Sequence, residues 1–60
     1  MFNYKIMMLV KSTGRLIDMP GMQNLGLFRA MHYADLYKKR NPSCNYHVIN
    51  QENNDMEYSV

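Results

Sequence analysis

The chain has one cysteine, Cys44, so it can form no internal disulfide. It has no run of about 18 apolar residues, so no segment reads as a membrane span. Charge of one sign is also scarce, and the formal net charge is only +2. That excludes a strongly acidic mimic of nucleic acid and does not demand a nucleic-acid partner. Repeats and low-complexity tracts are missing too. The apolar run from Met1 to Val10 lacks a basic leader and a small-residue cleavage site, so no signal peptide is expected. A lone thiol fits a reducing compartment, and the expected location is the cytoplasm. Sixty residues allow one domain. A chain this short buries only about 60% of its unfolded surface, and its stability needs help. With disulfides unavailable, a metal or another protein chain remains.

Methionine is abundant, with seven residues, and its flexible thioether suits irregular cores and adaptable surfaces alike. Most are expected to fill a small core. Met7, Met19 and Met22 lie near turns or off the periodic faces and are the candidates for a surface role.

Phe2 to Lys11 alternates. Phe2, Tyr4, Ile6, Met8 and Val10 share one face of an expected strand, and Met7 and Leu9 interrupt the polarity of the other. Ser12-Thr13-Gly14 reads as a tight turn with Gly14 at positive φ. Arg15 to Met19 returns as a second strand and completes a hairpin, which Pro20-Gly21 closes. Asn24 is the expected N-cap of a helix from about Leu25 to Arg40. Lys38, Lys39 and Arg40 fall in its last turn, where cations favour the negative end of the dipole. Asn41-Pro42 stops it, because the residue before a proline avoids helical backbone. Asn45 to Gln51 alternates again as a third strand. The expected fold is α+β in the order ββαβ, with one helix packed on the sheet. Residues 1–50 make the domain, and residues 51–60 are expected to be a polar, frayed tail.

On a helical wheel Leu27, Ala30, Met31, Ala34 and Tyr37 form one stripe, assigned to the core, where the small Ala30 and Ala34 allow close approach. Leu25, Arg29, Tyr33 and Leu36 align along the other side. Apolar side chains rimmed by arginine resemble interface hot spots, so these four are the expected contacts with a protein partner.

Chemistry-bearing motifs are few. His32 and Asp35 are three apart on the helix, which falls short of the three or four ligands that a metal site needs. Cys44 has no spacing to His32 or His47 that makes a zinc module or a nucleophile–base pair. Cys44 is expected in a loop or at a strand edge. "VKSTGR" has its glycine on the wrong side of the lysine for a phosphate-binding loop. No metal, no cofactor and no catalytic activity are expected. Lys38, Lys39 and Arg40, with Lys11 and Arg15, are possible basic contacts for nucleic acid, against the simpler role of complementing the helix dipole.

The hairpin, the helix "FRAMHYADLYKKRNP" and the closing strand "NYHVIN" together resemble the layout of the small early proteins of tailed bacteriophages. The "A-x-x-Y-A" style of helix, Ala30 to Ala34, followed by a polar loop and a strand, belongs to that likeness. The resemblance implies an accessory protein that binds and inhibits a host enzyme or a host defence system. Many such inhibitors are strongly acidic, and this chain is not, which favours direct occlusion or an allosteric wedge over mimicry of DNA. The partner is expected to be a host protein or another copy of the chain. Two alternatives stand beside this reading: a small nucleic-acid-binding regulator, and a self-assembling protein that sequesters a small ligand.

Overall fold

The computed structural model describes residues 2–60. Met1, the first residue of the expected apolar run, lies outside them. The period-two segment forms β1 (Tyr4–Val10). The chain then reverses, and the N–H groups of Thr13 and Gly14 both donate to the Val10 carbonyl, at 3.2 and 2.8 Å. Gly14 sits at φ 72°, where glycine has no Cβ to clash. The return strand β2 (Arg15–Asp18) pairs antiparallel with β1 from Val10↔Arg15 to Met7↔Asp18. The expected hairpin is present.

Residues 19–25 stay beside the sheet after β2 has ended. The Met19 N–H donates to the Ile6 carbonyl at 3.1 Å, and the Ile6 N–H donates to the Met22 carbonyl at 3.0 Å. Tyr4 and Leu25 exchange both backbone bonds, at 2.9 and 2.8 Å. The first half of β1 is thereby paired on this side, and Met19 and Met22 pack against the core. They fill gaps under this strap rather than presenting a surface, as was expected of them.

Helix α1 spans Leu27–Arg40 and starts two residues later than the apolar pattern implied. Asn24 is not its cap. Its N–H is taken by the Gln51 side-chain oxygen at 2.7 Å, and its backbone lies at φ 56°. Gly26 occupies the N-cap position and makes no side-chain bond. The C-terminal end is as expected: Lys38, Lys39 and Arg40 fill the last turn, and the Asn41 N–H closes on the Tyr37 carbonyl at 2.8 Å.

Strand β3 (Cys44–Asn50) pairs antiparallel with all of β1, from Val10↔Cys44 to Tyr4↔Asn50. Strand β4 (Met56–Ser59) adds to the far edge of β3, with a bulge between Val48 and Ile49. The sheet order is β2-β1-β3-β4. The class is α+β, with one helix and four antiparallel strands, one strand more than expected. Residues 51–60, expected as a polar frayed tail, are a turn and an edge strand. Their backbone groups find partners: Tyr46 and Val60 exchange both bonds at 3.0 Å. Tyr58 Oη also donates to Asp35 Oδ1 at 2.6 Å, tying β4 to the helix.

The helix covers one face of the sheet. Ile6 and Val48 are register partners on that face, and both are fully buried. Ala30, Ala34, Tyr46 and Cys44 complete the core, with Leu27, Met31 and Tyr37 packed around it. The Tyr37 ring stacks on Tyr46 with centroids 5.7 Å apart. Cys44 is neither in a loop nor exposed at an edge. It opens the central strand β3, buried, and its Sγ accepts from Asn41 Nδ2 at 3.5 Å.

Candidate protein-binding surface

A helix laid on a sheet leaves its opposite side to solvent. On α1 that side carries Phe28, His32 and Leu36 at i, i+4 and i+8, a line one turn apart at each step. Phe28 is 81% exposed and Leu36 is 38% exposed. Phe2, itself 75% exposed, lies against Gly26, where an added Cβ would meet its ring at 3.7 Å. Two phenylalanine rings therefore stand at the start of the helix with little else covering them. An isolated exposed apolar residue needs no explanation, but this group falls along one ridge.

Of the four residues expected to make an outward cluster, Arg29 and Leu36 are exposed. Leu25 and Tyr33 are half-buried and pack against the core. Leu25 precedes the helix, so it leaves the wheel and bridges to Tyr4 instead. Tyr33 flanks the buried line of Ala30 and Ala34, with its ring 6.1 Å from that of His32. Phe28 is the residue the sequence reading missed. Its spacing of four to His32 and eight to Leu36 was the signal for it.

The exposed charges around this ridge are cations, and one carboxylate, Asp35, lies at its edge. Arg29, Lys39 and Arg40 are exposed around it. Asp35 is the one acidic side chain on α1, and the Tyr58 hydroxyl engages it. That hydrogen bond, followed by burial and the Asp35 charge, holds the Tyr58 phenol above its ordinary pKa. Lys38 points elsewhere. Its ammonium donates to the Cys44 carbonyl at 3.0 Å and to Asn45 Oδ1 at 2.9 Å. Loss of solvent and the neighbouring Lys11 charge lower its pKa from the ordinary lysine value. Of the possible basic contacts, Lys38 is thus tethered to β3, while Lys39, Arg40, Lys11 and Arg15 are exposed.

The titratable groups weighed for chemistry lie apart. Cys44 is on the helix-covered face of the sheet. His47 is on the other face, where its Nδ1 is 2.8 Å from Ser59 Oγ. His32 is on the outer side of the helix. Among the described residues no group of three His, Cys, Asp or Glu is placed to hold a metal ion, and no helix is long and apolar enough to cross a membrane. No known protein family, curated protein or solved structure matches the chain.

Proposed function

We propose that this chain is a small non-enzymatic protein that binds and inhibits or modulates a host protein, using the outer ridge of α1. The observation that carries the reading is Phe28, 81% exposed, in line with His32 and Leu36 and flanked by Arg29. Aromatic side chains and arginine are the residues that most often dominate binding energy at protein interfaces. The partner that suits this ridge is an apolar groove with an acidic rim, since Arg29, Lys39 and Arg40 are exposed around it and Asp35, its one carboxylate, is hydrogen-bonded by Tyr58. Phage-type early proteins act in the host cytoplasm, and that setting suits a chain that keeps an unpaired thiol.

Affinity capture from a bacterial lysate tests the reading, with the wild-type chain compared against Phe28→Ser/Leu36→Ser. Phe28 is exposed and Leu36 partly so, and the variant is expected to keep its circular dichroism with at most a modest fall in melting temperature. The expected result is one protein retained by the wild type and lost by the variant. Retention of the same protein by the variant refutes the ridge as the contact. Retention of nucleic acid, with affinity falling steeply and linearly in log salt, refutes the protein partner.

A further inference from the structure

The sheet has a second face, and among the described residues no helix lies over it. Side chains alternate along each strand, so with Ile6 and Val48 under the helix, their neighbours point the other way. The register places them in rows across the strands. Leu16, Leu9 and Asn45 make the first row; Asp18, Met7, His47 and Ser59 the second; Lys5, Ile49 and Met56 the third. The apolar members form a diagonal stripe: Leu16 and Leu9 at one corner, Met7 in the middle, Ile49 and Met56 at the opposite corner. Ile49 is only 7% exposed although no helix lies over it, whereas Leu16 and Met56 at the two ends are 52% and 57% exposed. On one side of the stripe Lys5 Nζ is 3.2 Å from Asp18 Oδ1. On the other, His47 meets Ser59 Oγ, which donates to Met56 Sδ at 2.7 Å.

We propose that this face is a self-association surface, and that two copies of the chain pack sheet to sheet about a two-fold axis crossing the stripe at Met7. Three observations select a second copy as the occupant. The stripe has similar apolar ends on either side of Met7, so turning one copy over lays the Leu16 end on the Met56 end of the other. The same rotation brings Lys5 of each copy over Asp18 of the other, and the two intramolecular ion pairs become one four-membered charge network at the rim. A two-fold contact must be self-complementary in this way. The stripe also runs at about 45° to the strands, so aligning two stripes crosses the strands at about 90°, the orthogonal class of sheet packing.

The area suits a concentration-dependent dimer. Two strands of seven residues and two of four, at about 3.3 Å rise and about 4.8 Å spacing, span about 350 Å² in projection. Two such faces give at most about 700 Å², below the ~1,000 Å² of a stable specific interface, so the dimer is a weak one that forms at high concentration. The helix ridge stays free on the outside of the dimer, so each dimer would present two copies of it.

Sedimentation velocity on the purified chain, from low to high micromolar, tests the proposal. The wild type is expected to pass from 7.1 kDa to twice that mass. Leu16→Glu/Met56→Glu changes two side chains already more than half exposed, so the monomer keeps its fold. Its dimerisation is expected to weaken by about 30-fold or more, the scale of a lost hot spot. Lys5→Asp is expected to weaken the dimer as well, and Lys5→Asp/Asp18→Lys to restore it. Phe28→Ser/Leu36→Ser on the helix ridge should leave the dimer unchanged. A wild type that stays monomeric throughout overturns the proposal, as does a dimer that survives the glutamates or is broken by the ridge variant instead.

Discussion

Ile6→Ala removes three carbons from a side chain with no exposed surface, opposite a register partner, Val48, that is equally buried. At about 0.8 kcal/mol per buried methylene the transfer loss alone is about 2.4 kcal/mol. The hole cannot close readily. Helix α1 is held over it at both ends, by the Tyr4–Leu25 bridge before its first turn and by the Lys38 bonds to Cys44 and Asn45 in its last. A residual cavity adds to the transfer loss, so the expected cost is about 3 kcal/mol, inside the usual range of about 2–5 kcal/mol for such truncations. A 60-residue domain has about 3–9 kcal/mol in all, so the variant sits near the limit of folding. Urea titration at one low protein concentration, followed by circular dichroism, measures this. With a slope of about 1 kcal/mol/M the midpoint falls by about 3 M. Ile6→Val loses a single methylene and is the gentler version, expected to cost about 0.5–1.5 kcal/mol. A cost below about 0.5 kcal/mol for Ile6→Ala, at unchanged slope, would refute the claim that the helix seals this position.

Four further outcomes are expected. Ala34→Leu forces three more heavy atoms between helix and sheet where Ala34 now has no exposure, and should cost about 1–3 kcal/mol in the same titration. Gly14→Ala should cost about 1–2 kcal/mol through the positive φ alone, because no atom lies within 4 Å of the added Cβ; an unchanged urea midpoint counts against that turn geometry. Stability should fall as pH rises above about 10, because the Tyr58 and Tyr46 phenols are both held above their ordinary pKa in the fold and keep protons that the unfolded chain has lost. Lys38 works in the opposite sense up to the ordinary lysine value of 10.5, since its lowered pKa means that the unfolded chain holds the proton longer, and Tyr58→Phe should flatten the alkaline fall seen in the melting temperature.

Several elements are written locally in the chain. Alternation from Tyr4 to Val10, the Ser12-Thr13-Gly14 turn, and the helix ending in Lys38-Lys39-Arg40 before Asn41-Pro42 all depend on neighbours within a few residues. Their periods and terminators act before any tertiary contact forms, and each appears where the pattern put it. The mixed polarity of the outward side of β1 was legible for the same reason, since Met7 and Leu9 break an otherwise polar alternation.

Other features depend on partners far along the chain. The segment Met56–Ser59 alternates apolar and polar residues over only four positions and follows the polar run from Gln51 to Asp55, so the local pattern is short. It is a strand because β3 offers it an edge and Asp35 accepts from its Tyr58. Asn24 has the right side chain for a cap, yet the side chain of Gln51, 27 residues away, takes its backbone N–H. The rotation of the helix about its own axis follows the same logic. Leu25 and Tyr33 shared a wheel face with Arg29 and Leu36, and the sheet drew the first pair toward the core and left Phe28 outside. A wheel ranks residues by angle alone. Which angle is buried depends on where Ile6 and Val48 stand, and that is a property of strand pairing over long sequence separations.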